Sequence, residues 1–199
     1  MKQPRSYVLG LSIGTFWLIA ASTGFATSLL AGVGTSNSRT TLIAIGVAAV
    51  AYLAVTLRQI ITAAKLPKEP RTDERRQMSR RFVWIVILEL VGIVIVNTAF
   101  FNLGLLSWLV PVDLIIVGLH FIPLAKLFGV PRYTPLGVVF CAIPVLTLMV
   151  VPADALIGAA VARYLISSLG CAAATWLIAA GNVLEIRQHL SVARAHPSR

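Results

Sequence analysis

Five polar residues sit where polarity is costly. Glu89, Asn97, Asp113, His120 and Arg163 all fall inside long apolar runs. An ionisable group in such a run usually faces the interior of a helix bundle and is a functional candidate by default. A histidine beside a carboxylate exchanges protons near neutral pH. Chains of Asp, Glu and His line the paths of many pumps and transporters. Glu89 lies 15 residues before Gly104, and His120 lies 15 residues after Leu105. If the chain turns at that point, the two share a depth. Asn97 and Asp113 match in the same way, nearer the turn. Asp113 and His120 are seven residues apart and so share one helix face.

Two polar layers are expected from this spacing. Glu89 and His120 form one, and Asn97, Asp113 and Arg163 form the other. Arg163 lies eight residues after Ala155, a depth like that of Asp113, so an Asp113–Arg163 pair would neutralise both charges. The plainer reading of the same residues is a set of polar locks that hold helices in register. Asn182 and Glu185 fall at the far end of the last run, where Glu185 is expected to pair with Arg187 or solvent.

The elements that position these residues follow from composition. The 199-residue chain is 58% hydrophobic and 12% charged, with mean hydropathy +0.88. A soluble domain is about 45–50% apolar and about 25% charged. The excess apolar surface needs lipid as its solvent. Six runs approach the roughly 20 residues that cross a bilayer, at about 7–32, 41–64, 82–101, 105–127, 135–151 and 155–184. They are expected as helices, because an open strand leaves backbone groups unpaired in lipid. None alternates as a barrel strand would. The fold class is therefore all-α, a single domain of six transmembrane helices over residues 1–199.

The charges orient it. Of 17 basic residues, all but Arg39 and Arg163 fall on one side of the runs. They precede the first run (Lys2, Arg5), surround the second connection, follow the fourth run (Lys126, Arg132) and follow the last (Arg187, Arg194, Arg199). Basic flanks are cytoplasmic, which predicts both termini inside. A net charge of +10 arranged in this way points to a membrane and away from nucleic acid. The connection Lys65 to Arg81, KLPKEPRTDERRQMSRR, carries seven basic and three acidic residues. It is expected to be a solvated polar loop and a contact for anionic lipid headgroups.

Smaller signals refine the picture. Residues 1–28 have some features of a signal peptide, a basic start, an apolar run and small residues near 24–28, but the run continues through Leu30. Ala20, Gly24, Ser28 and Gly32 recur every four positions, a face suited to close helix packing within the bundle or, second, between copies in a homo-oligomer. Pro111 and Pro144 should kink the fourth and fifth helices. Asp154 should cap the last one. Cys141 and Cys171 lie inside runs and read as packing residues. The two three-helix halves would have opposite topology, as in inverted-repeat transporters, yet share no clear sequence similarity.

The stretch GLHFIPLAKLFGVPRY, residues 118–133, resembles a segment of small multi-helix bacterial membrane proteins classed as domains of unknown function. The resemblance centres on His120, Pro123 and Ala125 and implies a bacterial inner-membrane protein. It brings no activity with it.

No HExxH, CxxC, GxSxG or P-loop is present, so no metal and no cofactor is expected. The leading expectation is binding or transport of a small solute or proton on the third, fourth and sixth helices. A membrane-embedded enzyme is an alternative, with Glu89 and Asp113 as acid and base on a lipophilic substrate. A non-catalytic membrane subunit is another.

Overall fold

The computed structural model describes residues 5–31, 33, 36–66 and 73–195. Six long helices dominate it: α1 (Arg5–Ala31), α2 (Ser36–Ala64), α3 (Asp73–Asn102), α4 (Leu109–Phe128), α5 (Tyr133–Val150) and α6 (Ala162–Ala195). Each is long and apolar enough to cross a membrane. Helices satisfy their own backbone groups, which is why apolar runs of this length take no other open form in lipid. Five buried hydroxyls follow the same economy. Ser12, Thr15, Thr56, Thr147 and Thr175 each donate to the carbonyl four residues earlier on their own helix and need no partner elsewhere.

The turns on either side of α4 are built on glycine. After α3, Gly104 takes φ +70°. The Leu105 amide donates to Phe100 at 2.9 Å and the Gly104 amide to Phe101 at 3.2 Å, the two bonds of a Schellman motif. A single 3-10 turn, Leu106–Trp108, then leads into α4. Gly129 ends α4 at φ +65°, and the Val130 amide donates to Ala125. These positions need a left-handed residue, and glycine supplies it without steric cost.

The α5–α6 connection departs from the sequence expectation. Helix six does not begin near residue 155. Instead β1 (Leu156–Ile157) pairs antiparallel with β2 (Ala160–Val161). Gly158 alone in the turn has positive φ, the pattern of a type II′ hairpin. Asp154 is exposed ahead of this hairpin and caps nothing. Helix α6 starts at Ala162 and runs to Ala195, beyond the expected end at 184. The basic connection is also shorter than expected, because residues 73–81 belong to α3. Residues 67–72 lie outside the described residues. Pro111 sits in the first turn of α4, where a missing N–H removes no helical bond. Pro123 and Pro144 lie inside α4 and α5.

Helix α6 is the centre. It packs on α1, α5, α4 and α2, and the main buried cluster joins Val8 and Leu11, Ala63, Phe121 and Leu124, Leu136 and Phe140, Cys171 and Ile186. Helices α4 and α5 approach most intimately, through Gly118 and Gly137. A Cβ on Gly137 would stand 2.6 Å from the Gly118 carbonyl oxygen, and one on Gly118 2.8 Å from that of Gly137. The packed face of α1 is Val8, Leu11, Ser12, Thr15, Ile19, Ala26 and Leu30. Of the expected small-residue face, Ala20 is half-buried and Gly24 is exposed, so the face does not pack at Gly24. Gly32 lies outside the described residues. Helix α3 stands at the edge, packed chiefly on α4, with Trp84, Leu88, Val94 and Phe101 facing outward.

Candidate functional site

The seam between α3 and α4 holds four of the five sequence-selected residues. The Schellman turn makes the two helices antiparallel neighbours, so residues equally far from it meet. The Asn97 amide nitrogen donates to both carboxylate oxygens of Asp113 at 3.1 Å, and to the Ile93 carbonyl at 2.9 Å. Two turns deeper, Nδ1 of His120 lies 2.9 Å from Oε2 of Glu89, with both side chains mostly enclosed. The approach lies off the line an imidazole N–H would take, and Nδ1 makes no aligned hydrogen bond. The contact is therefore electrostatic, and its strength depends on whether the imidazole carries a proton. The Phe121 ring stands edge-on to the imidazole, 5.8 Å between centroids.

An apolar step separates the layers. Eight residues part Glu89 from Asn97, about 12 Å along the helix. Between them Ile116 packs over Gly92, where a Cβ would meet it at 3.6 Å. On the far side, an open hollow of about 400 Å³ is lined by Asn97, Thr98, Phe101, Asn102 and Leu109. It reaches Asn97 from the turn end of the seam and does not extend to Glu89 or His120.

Arg163 does not join the seam. The hairpin before α6 places it in the first turn of that helix, where it turns to the end of α5. Its Nε donates to the Val151 carbonyl at 2.9 Å and one terminal nitrogen to Leu148 at 3.3 Å. Its guanidinium stacks 5.2 Å from the centre of the Trp108 ring. The last carbonyls of a helix lack backbone donors and carry the negative end of its dipole, so a cation belongs there. Asp113 takes its hydrogen bonds from Asn97, and the expected Asp113–Arg163 pair is not formed. The expected acid–base pairing of Glu89 with Asp113 does not occur either, since each faces its own partner in a separate layer.

A second polar cluster, at the opposite end of the bundle, escaped the sequence reading. Glu185 on α6 is ion-paired with Arg132, which immediately precedes α5. Its other oxygen accepts the Tyr7 hydroxyl of α1 at 2.6 Å and lies 3.5 Å from Nε2 of His189. Tyr7 and His189 meet edge to face. One turn deeper, the Asn182 amide donates to Thr15 at 3.0 Å and reaches the Tyr133 hydroxyl at 3.5 Å. Arg132 lies so close to the α6 backbone that a Cβ on Gly181 would stand 3.1 Å from it. Glu185 was expected to pair with Arg187, two residues on, or with solvent. The available clue was that Tyr7, Arg132 and Glu185 all fall at the same end of their runs.

Among the described residues no group of three His, Cys, Asp or Glu side chains could hold a metal. Both cysteines are free thiols. Compared with family models, with curated proteins and with solved structures, the chain has no match.

Proposed function

We propose that this chain is a multi-pass protein of a bacterial cytoplasmic membrane, with both termini inside, that binds or passes a proton or small solute along the α3/α4 seam. The orientation rests on the one-sided basic residues. One observation carries the functional reading: a histidine and a carboxylate lie 2.9 Å apart within two apolar helices. Such a contact is attractive when a proton lies between the two atoms and repulsive when none does, so the proton content of the pair sets how firmly α3 is held. The hollow at Asn97 supplies access from one end. Ile116 over Gly92 acts as the apolar barrier between the layers. Helix α3 is the element free to move, because it packs chiefly on α4.

The test is proton flux into proteoliposomes loaded with a pH-sensitive dye. The wild-type protein should conduct above protein-free vesicles, and Glu89→Gln or Asp113→Asn should abolish the excess. Flux no greater than that of empty vesicles, under either sign of membrane potential, would overturn proton passage. The second reading, a membrane subunit without transport, is favoured by the fact that the hollow stops short of Glu89 and His120. In that reading the seam only fixes the place of α3.

A further inference from the structure

A cleft between α2 and α6 has chemistry that neither the seam nor the Glu185 cluster uses. It lies towards the end of α2 and of α6, on the side where the basic residues gather. About 250 Å³ in volume, it is lined by Val55, Arg58, Gln59, Thr62, Arg187, Leu190 and Ser191. No carboxylate lines it. Arg58 and Arg187 are exposed, and neither has an ion pair among the described residues. Two unpaired guanidinium groups at one opening call for an anion, and phosphate suits them best.

The floor of the cleft adds a second requirement. Gln59 is 5% exposed. Its amide nitrogen is satisfied by the Val183 carbonyl at 3.0 Å, but its Oε1 has no donor. A buried acceptor left unpaired is costly, and neither hydroxyl of the cleft supplies the missing donor. Thr62 and Ser191 both spend their hydroxyl hydrogens on backbone carbonyls of their own helices. They offer lone pairs only. A ligand that brings both a negative charge for the arginines and an O–H donor for Gln59 satisfies both requirements and leaves the guanidinium donors to the anion. Val55 and Leu190 give it an apolar wall, and exposed Leu57 and Ile61 continue that surface along α2.

We infer that the α2/α6 cleft is a specific site for an anionic phospholipid with a hydroxyl-bearing headgroup, of which phosphatidylglycerol is the simplest. The phosphodiester lies between Arg58 and Arg187, a glycerol hydroxyl donates to Gln59, and the acyl chains run down the outer face of α2. This site is separate from the basic connection between α2 and α3, and it does not depend on what the seam does.

The test counts bound lipid by native mass spectrometry of detergent-purified, delipidated protein. Phosphatidylglycerol, phosphatidic acid and phosphatidylcholine are added at equal mole fraction, with inorganic phosphate as a fourth arm. The wild-type chain should bind phosphatidylglycerol most tightly, then phosphatidic acid, which lacks the glycerol hydroxyls, with phosphatidylcholine weakest. Arg58→Gln with Arg187→Gln should weaken phosphatidylglycerol about thirtyfold, corresponding to about 1 kcal/mol per basic residue. Gln59→Met should reduce phosphatidylglycerol to the level of phosphatidic acid. Arg76→Gln with Arg80→Gln, on α3, should leave the order intact. Equal binding of phosphatidylglycerol and phosphatidylcholine would overturn the site. So would a phosphatidylglycerol affinity that survives loss of both cleft arginines, or occupancy by phosphate alone. A preference over phosphatidic acid that persists in Gln59→Met would overturn the hydroxyl assignment. The lipid order in the wild type decides the main point even where a variant does not fold.

Discussion

The α3/α4 seam and the Glu185 cluster hold nearly the same chemical groups and use them differently. Each places carboxylates against nitrogen donors inside an apolar bundle. Around Glu185, side chains from α1, from the start of α5 and from α6 converge on one carboxylate. In the seam, each acid has its own partner on one neighbouring helix, and the two pairs are separated by Ile116. The cluster ties two other elements to the central helix, so loosening it loosens the core. The seam ties one edge helix to the bundle, so loosening it frees only α3. A polar group can thus be a structural bolt or a releasable latch, and the number of elements it joins decides which.

The largest effect should come from the bolt. Glu185→Ala leaves Arg132 without its carboxylate, and stability should fall by about 3 kcal/mol. That is the lower edge of the range for breaking a buried pair, because the two side chains keep 30% and 20% of their surface exposed. Thermal unfolding in detergent reads this directly. Removing Arg132 as well should recover part of the loss. A double variant worse than either single one would show that the pair is not what joins the helices.

Next comes a contact that contains no polar side chain. Gly137→Val inserts atoms where the Gly118 carbonyl already stands. Overpacking should cost about 1–3 kcal/mol, seen as a lower melting temperature. A neutral result would mean that α4 and α5 separate without penalty, which would make the α4/α5 contact as loose as the seam. Asp113→Ala in the seam should cost less, about 0.5–1.5 kcal/mol, as polar contacts between membrane helices do. A loss exceeding that of Glu185→Ala would reverse the comparison. The smallest change should be Gly10→Ala on the exposed face of α1, where a Cβ meets no neighbour within 4 Å. It should raise stability by about 0.5 kcal/mol through the reduced backbone entropy of the unfolded chain. A clear loss there would place a packing partner on a face that the structure leaves open.

The degree to which the sequence could be read follows the range of each interaction. The six helices were legible because hydropathy is a local property, and lipid leaves an apolar run only one open form. The Glu89–His120 contact was legible because a short turn converts sequence spacing into depth. Arg163 was misread for the same reason in reverse. Residues 155–161 looked apolar enough to begin a helix, but Gly158 turned them into a hairpin. That moved Arg163 from eight residues inside a helix to its first turn. The α1 face was misread at Gly24 because small residues at a four-residue spacing say that close packing is sterically available, not that a neighbour is there. The Arg132–Glu185 pair was illegible because it joins residues 53 apart. Its geometry depends on α5 and α6 lying side by side, which no local pattern encodes.

The central position of α6 has a consequence for how the molecule is made. A ribosome adds about 5–20 residues per second. His120 follows Glu89 by 31 residues, so the seam has both its halves within about 2–6 s. Glu185 follows Tyr7 by 178 residues, an interval of about 9–36 s. The helix against which the others pack is thus the last of these six to leave the ribosome. Until it arrives, α1 and α2 form one pair, α4 and α5 carry α3 as another group, and no contact with the centre holds the two together. On this order of synthesis, α6 is the helix that joins the two groups.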